Sequence, residues 1–332
     1  MKSKSMILSL LLFSLSLSLT ALENSIIPTV EKFEVLENLQ QEKYTENQYA
    51  TICEALDLKS ERIRIVSYNV LCSQYDANIR DPLNLWPARL PRVIEAIDDL
   101  KPDILGVQEL SATQRDDLAD FMSRDYTFVS MPTRYQQYDG IYYRTDRFEK
   151  VDAKVLNLAV KGGTSSSATL TIIELKDVKT GRSFSVCNTH LAFSNLKKRS
   201  FQVRCIMRYI KTMAERLPVV FMGDLNTFPN RPDLNLPFYD GDAVQGIIEQ
   251  AGLKDAKDVA LLGHVGPYST FTSDPEGGGK PFQGTGKPGV FLDHIYVSDG
   301  IQVLIHAVNP VTSNGNFPSD HMPILIDCLL SI

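Results

Sequence analysis

From Glu61 onward, short β-type runs alternate with amphipathic helical stretches, and mid-chain several runs follow one another with few helices between them. Residues 62–71 are β-branched and alternating, whereas Leu90, Val93, Ile94, Ile97 and Leu100 recur at helical spacing. Residues 103–108 form a second run. Ser111 with Gln114 three residues later is a capping-box pattern, opening a helix whose apolar face is Leu118, Phe121 and Met122. Further β-type runs lie at 126–130, 140–144, 168–175 and 183–190. This succession favours an α/β fold of two packed sheets with helices outside over a purely alternating parallel fold. A long amphipathic helix through Val203, Ile206, Met207, Ile210, Met213 and Leu217 then leads into a short buried strand at 219–222.

Before Glu61 the pattern differs. Residues 1–21 carry Lys2 and Lys4, an apolar stretch from Met6 to Leu19 and then Thr20-Ala21. That is the order of a signal peptide, and the apolar part falls short of the ~20 residues of a spanning helix. A secreted or periplasmic protein is expected. Residues 22–60 form an acidic lead-in with weak helical spacing and no assignable chemistry, which leaves 61–330 as the domain. Lys and Arg number 34 against 40 Asp and Glu, a net charge of −6. Attachment to nucleic acid by overall positive charge is excluded, so a polyanion must be met locally. Cys53, Cys72, Cys187, Cys205 and Cys328 are odd in number and contain no C-x-x-C pair. They are expected to be buried packing residues, neither a disulfide scaffold nor a zinc ribbon.

At five places an apolar β run ends in polar or ionisable residues where a core strand would want a hydrophobe. These are Tyr68-Asn69, Gln108-Glu109, Asn188-Thr189-His190, Gly223-Asp224-Leu225-Asn226 and Ser319-Asp320-His321. Each alone is ordinary, since an Asp after a strand is usually a turn or helix cap. Together they supply amides and carboxylates suited to a hard cation such as Mg²⁺, plus two histidines able to donate or transfer protons.

Ser67-Tyr68-Asn69-Val70-Leu71, Pro102 through Glu109, Asn188-Thr189-His190-Leu191, Gly223-Asp224-Leu225-Asn226, Leu292-Asp293-His294-Ile295 and Ser319-Asp320-His321 occur in this order. In that order they resemble the endonuclease/exonuclease/phosphatase superfamily, over residues 62–329. The resemblance implies a four-layered α/β sandwich of two packed mixed sheets flanked by helices, and metal-dependent hydrolysis of a phosphoester. Carried over residue by residue, it implies metal ligation by Glu109, with Asn69 beside it and Asp320 near, for Mg²⁺ or alternatively Mn²⁺. It implies that Asp224 orients or deprotonates water, that Asn226 holds water or phosphate, and that His190 donates to a nonbridging oxygen. His321 would contact phosphate, oriented by Asp293; which histidine is the general acid or base stays open.

Asp139-Gly140-Ile141-Tyr142-Tyr143-Arg144 matches the family strand ending in an aromatic and a basic residue, so Arg144 is a candidate phosphate contact, and Tyr142 or Tyr143 a candidate for lining the cleft. Arg89 and Arg92 read as solvated surface, and His294 as structural. Lys197, Lys198, Arg199 and Arg204 form a basic cluster that either guides a polyanion or simply solvates a helix. The Gly-rich stretch 266–289 is expected to be a long surface loop, and its lysines do not meet phosphate-loop spacing. The leading expectation is an exported, monomeric phosphodiesterase acting on nucleic acid. The alternatives are a lipid phosphodiesterase or phosphatase, with Phe271 and Phe282 as candidate membrane anchors, and a catalytically silent binding protein.

Overall fold

A computed structural model describes residues 61–330 apart from 80, 159–167, 194, 228–242, 272–289 and 311–315. The expected signal peptide and lead-in, residues 1–60, lie outside the described residues. In chain order the strands are β1 (Ile63–Asn69), β2 (Ile104–Ser111), β3 (Tyr126–Val129), β4 (Gln137–Arg144), β5 (Phe148–Asn157), β6 (Thr169–Asp177) and β7 (Ser183–His190). There follow β8 (Val219–Asp224), β9 (Lys254–Asp255), β10 (His264–Val265), β11 (Asp293–Val297), β12 (Ile301–Val308) and β13 (Ile324–Leu330). The α-helices are α1 (Trp86–Leu100), α2 (Ala112–Met122), α3 (Leu196–Ala214), α4 (Ala243–Glu249) and the short α5 (Ala256–Val259).

Two mixed sheets result. One has the order β10-β12-β13-β1-β2-β4-β3, the other β5-β6-β7-β8-β11-β9. The two-residue period of a strand distributes each run between two layers. In β1, Ile63 and Ile65 enter the core between the sheets, while Val66 and Tyr68 pack under α1. In β8, Val220 and Met222 face the other sheet, while Val219 and Phe221 face α3 and α4. Each such fully buried side chain contributes about 1.5–3 kcal/mol, so both sheets are held on both faces and the expected sandwich forms. The capping box at Ser111 and Gln114 is present in both directions. Strand β5 is additional to the expected runs. Its residues are mostly exposed, Glu149, Lys150, Asp152 and Lys154 among them, because it forms the edge of its sheet.

Topology places the chemistry. A parallel neighbour needs a crossover, and each sheet contains one built on a long helix: β1–α1–β2 and β7–α3–β8. All four C-terminal strand ends therefore carry a polar residue, at Asn69, Glu109, His190 and Asp224. The antiparallel neighbours β11 and β13 enter where those strands leave. Asp293 accordingly stands opposite Asp224 in the ladder, and His321 shortly precedes Ile324.

Candidate active site

Along this rim the backbone departs from regular strand geometry. The β2–β4 ladder shifts register between Val107 and Leu110, and Glu109 within that bulge takes φ +60°. Leu71 and Asn226, just beyond β1 and β8, take φ +54° and +50°. For non-glycine residues such conformations cost about 1–3 kcal/mol each and persist only where surrounding bonds over-determine them. Gly223 has φ +146°, and a Cβ there would lie 1.9 Å from the Thr189 carbonyl oxygen, so the Gly-Asp-Leu-Asn turn accepts only glycine at its first position.

Asp224 joins the two sheets. Its Oδ2 accepts a hydrogen bond from Asn69 Nδ2 at 3.0 Å and lies 3.4 Å from His190 Nε2 and 3.6 Å from His321 Nε2. Its Oδ1 accepts the Asn226 backbone N–H at 2.9 Å. One carboxylate oxygen thus faces both histidines that the sequence singled out. Asn69 Nδ2 also donates to Glu109 Oε1 at 3.2 Å, and the Cys72 N–H donates to Glu109 Oε2 at 3.2 Å. His190 Nδ1 stands 4.0 Å from Glu109 Oε1. His321 Nδ1 is 2.8 Å from Asp293 Oδ2. Asn226 Nδ2 donates to the Leu191 carbonyl at 2.9 Å and lies 3.0 Å from His190 Nε2, so its amide nitrogen faces the ring. The Ser319 hydroxyl donates to the Asn69 carbonyl at 2.7 Å and accepts the His321 N–H at 3.2 Å, tying the Ser-Asp-His segment to the end of β1.

The electrostatics follow from packing acids and imidazoles together out of water. Burial opposes protonation of His321, but Asp293 and Asp224 outweigh it and hold its pKa well above the usual value. His190 is raised in the same way, with burial opposed by Asp224, Glu109 and Asp139. Burial raises the pKa of Asp224 despite both imidazoles. Burial also pushes Asp320 up to about 6; the His321 charge opposes this, and the Glu109 carboxylate adds to it. The charge conflict that raises Asp320 is one a cation would relieve, and the carboxylates of Glu109 and Asp320 suit a hard divalent ion, while Asn69 turns its Nδ2 to Glu109 and accepts the Leu71 N–H on its Oδ1 at 3.1 Å. A second group of ligand atoms, from Asp224, Asp293 and His321, lies within 4.8 Å of one another. Its imidazole is bonded to Asp293 and favoured as imidazolium, so it suits proton donation better than ligation.

Several expectations are corrected. Arg144 and Tyr143 are not brought to this cluster. Strand β4 runs antiparallel to β2, with Tyr143 opposite Ile104 and Tyr138 opposite Leu110, so these two residues sit at the end of the strand away from Glu109. Tyr143 is in the inter-sheet core, Tyr142 is buried against Phe128, and Arg144 pairs with Asp146 at 2.7 Å. The other end of the same strand supplies what sequence reasoning missed. Asp139 is buried, accepts the Glu109 N–H at 3.4 Å and is raised to about 6 chiefly by burial.

Arg89 and Arg92 are also not solvated. Arg89 is 0% exposed; it donates to the carbonyls of Asn84, Val70, Leu71 and Pro318 at 2.8–3.0 Å. Arg92 is buried and bonded to the Leu83 carbonyl at 2.5 Å. In the basic cluster, Arg199 is 0% exposed and donates to the carbonyls of Ala192 and Phe193 at 3.0 and 2.7 Å, leaving Lys197, Lys198 and Arg204 on the accessible side of α3. Phe271, partly exposed, packs against the His321 ring at 5.0 Å, and Phe282 lies outside the described residues. His294 is structural, as expected. It is buried, with Asp255 at 3.4 Å and the Thr227 carbonyl at 3.0 Å.

Residues 66–321 match the Endonuclease/Exonuclease/phosphatase family. The chain belongs to that family. Among curated relatives, nocturnin of Drosophila melanogaster is 24% identical over 214 residues, covering 56% of this chain and 32% of that protein. The chain therefore spans about a third of the length of this relative. Among solved structures, the mannosyl-6-phosphatase of Bacteroides thetaiotaomicron is 20% identical with a TM-score of 0.65, over 81% of this chain and 100% of that one. D. rerio TDP2, complexed with a single-strand DNA product, is 19% identical with a TM-score of 0.61, over 80% and 98%. At this identity the structural likeness shows a shared fold.

Proposed function

We propose that the protein is an exported, divalent-metal-dependent phosphodiesterase that cleaves nucleic acid. The observation that carries the hydrolytic reading is the single oxygen of Asp224, placed between His190, His321 and Asn69. A phosphodiester is already anionic, and attack by water adds charge to its phosphoryl oxygens. Glu109 and Asp320, with Asn69 beside them, would hold a divalent cation, Mg²⁺ by the hardness of the carboxylate donors, and that ion would supply charge neutralisation there. Asp224 orients the attacking water and accepts its proton, while Asn226 fixes Asp224 and His190 relative to each other. His321, kept protonated by Asp293, and His190 donate to nonbridging oxygens as their charge grows.

Nucleic acid is preferred as substrate because TDP2, with its single-strand DNA product, shares the fold. The Tyr-Asn-Val-Leu and Ser-Asp-His-Met-Pro sequences are also closer to nuclease members than to inositol phosphatases. The test is a panel of DNA, RNA, sphingomyelin, phosphoinositide and sugar phosphate, run with Mg²⁺ and with chelator on protein recovered from the medium. Nucleic acid should be cleaved only with metal, Glu109→Ala should abolish turnover with the fold intact, and the recovered chain should begin beyond Met1. Cleavage of lipid or sugar phosphate alone would overturn the nuclease assignment.

A further inference from the structure

The rim beside Glu109 carries aromatic surface that hydrolysis does not use. The chain after β1 makes a 3-10 turn, Ser73–Asn78, directly past Cys72, whose N–H binds Glu109. On that turn the Tyr75 N–H donates to the Cys72 carbonyl at 3.0 Å, and the side chain is 49% exposed. The loop between β3 and β4 lies alongside. Gln74 Nε2 donates to the Tyr135 carbonyl at 2.9 Å, and the Tyr135 ring is 50% exposed. The Arg134 guanidinium stands 5.3 Å from the centroid of that ring. The loop is braced, since the Thr133 N–H donates to the Gln137 carbonyl at 2.7 Å and Gln136 adopts φ +59°. Two half-exposed tyrosines are thereby carried on adjoining segments, one of which binds the proposed metal ligand through Cys72.

We infer that Tyr75 and Tyr135, with Arg134, form a stacking platform for a base flanking the scissile phosphate of a single-stranded nucleic acid. This rests on the nuclease reading above. With a net charge of −6, the protein has no overall field to hold a polyanion, so binding must come from local contacts. Stacking is such a contact. It tolerates sequence, requires bases that are not paired, and is strengthened by a cation over the ring. Membrane insertion would need a contiguous aliphatic face, whereas these rings carry hydroxyl groups and are flanked by Gln74, Gln137 and Arg134.

The test uses a single-stranded oligonucleotide and the same oligonucleotide with one abasic position beside the cleaved bond. The intact substrate should show kcat/KM about tenfold or more above the abasic one, mainly through KM. In the Tyr75→Ala/Tyr135→Ala double variant that ratio should collapse toward one, whereas Tyr75→Phe/Tyr135→Phe should keep it. An unchanged ratio in the alanine variant, or equal loss on both substrates, would overturn the platform. So would a loss confined to sphingomyelin or sugar phosphate. Fluorescence anisotropy of the labelled oligonucleotide in chelator separates the two proposals. Tyrosine-dependent binding in chelator with no cleavage once Mg²⁺ is restored supports the platform and refutes the nuclease; cleavage in Mg²⁺ with tyrosine-independent binding in chelator does the reverse.

Discussion

The units β1–α1–β2 and β7–α3–β8 solve the same problem with the same device. In each, a parallel pair is joined by a helix, and a fully buried arginine of that helix reaches back to carbonyls just beyond the first strand: Arg89 to Val70 and Leu71, Arg199 to Ala192 and Phe193. They differ in what they deliver and in reach. The first presents the Glu109 carboxylate, fit for a cation, with the Asn69 amide bonded to it; the second presents His190 and Asp224, groups fit for proton transfer. Arg89 additionally crosses to the Pro318 carbonyl, the residue before Ser319-Asp320-His321. The first arginine therefore braces two site segments. A site assembled from two similar halves can divide charge neutralisation from proton handling, provided one group couples them, and in the proposed mechanism that group is Asp224, whose Oδ2 meets Asn69 from one half and His190 from the other.

Replacing the coupling group should have the largest effect. Asp224→Asn keeps the shape but removes the charge facing both imidazoles. It should lower kcat by about 10³-fold, and NMR titration should show the pKa values of His190 and His321 falling. If kcat stays near normal, the two halves are not coupled through this residue. The arginines come next. Arg89→Met strands several buried carbonyls and should cost about 3 kcal/mol in denaturant unfolding, with a clear loss of kcat because the segments bearing Asn69 and Asp320 loosen together. Arg199→Met should cost about 2 kcal/mol and affect kcat less. Equal effects on kcat would remove the asymmetry drawn here.

The smallest effect is a pH slope of opposite sign in two histidine environments. His264 and His306 face each other with Nδ1 atoms 2.9 Å apart, and burial lowers both, His306 to about 3. Neutral in the fold, they stabilise it above the unfolded histidine value near pH 6.5, and that contribution is lost as pH falls from there toward 3. His321, with its raised pKa, behaves in reverse: its contribution is complete below about pH 6.5 and is lost as pH rises through its folded value. His306→Leu should therefore flatten the fall in stability on acidification below about pH 6.5, read from urea midpoints across pH. An unchanged slope would show that the pair does not titrate on unfolding.

Much of this molecule was legible in local pattern. The apolar alternation of β1 and β8 and the capping box at Ser111 specify their own elements, because strand period and helix caps act over a few residues. The polar residues that end otherwise apolar strands were conspicuous because a buried run has no local use for Asn69, His190 or Asp224. Strand β5 was illegible because an edge strand with charged residues on both faces lacks the burial signal. Asp139 was passed over in favour of Arg144, although both belong to one run, because the run does not say which of its ends meets Glu109.

The chain on its own determined the layers, the strand ends that carry chemistry and the family. The strand ends depend on residue type and short-range spacing, which are local, and the family on the resemblance that six motifs carry in their order along the chain. Tertiary structure alone decided that Arg89 and Arg199 are internal braces, that Glu109 is turned by a bulge, that β4 contributes Asp139, and that one oxygen of Asp224 serves two imidazoles. Each of those depends on the direction of a neighbouring strand or on a partner far away in the chain. A buried arginine and a solvated one differ only in which carbonyls lie within reach.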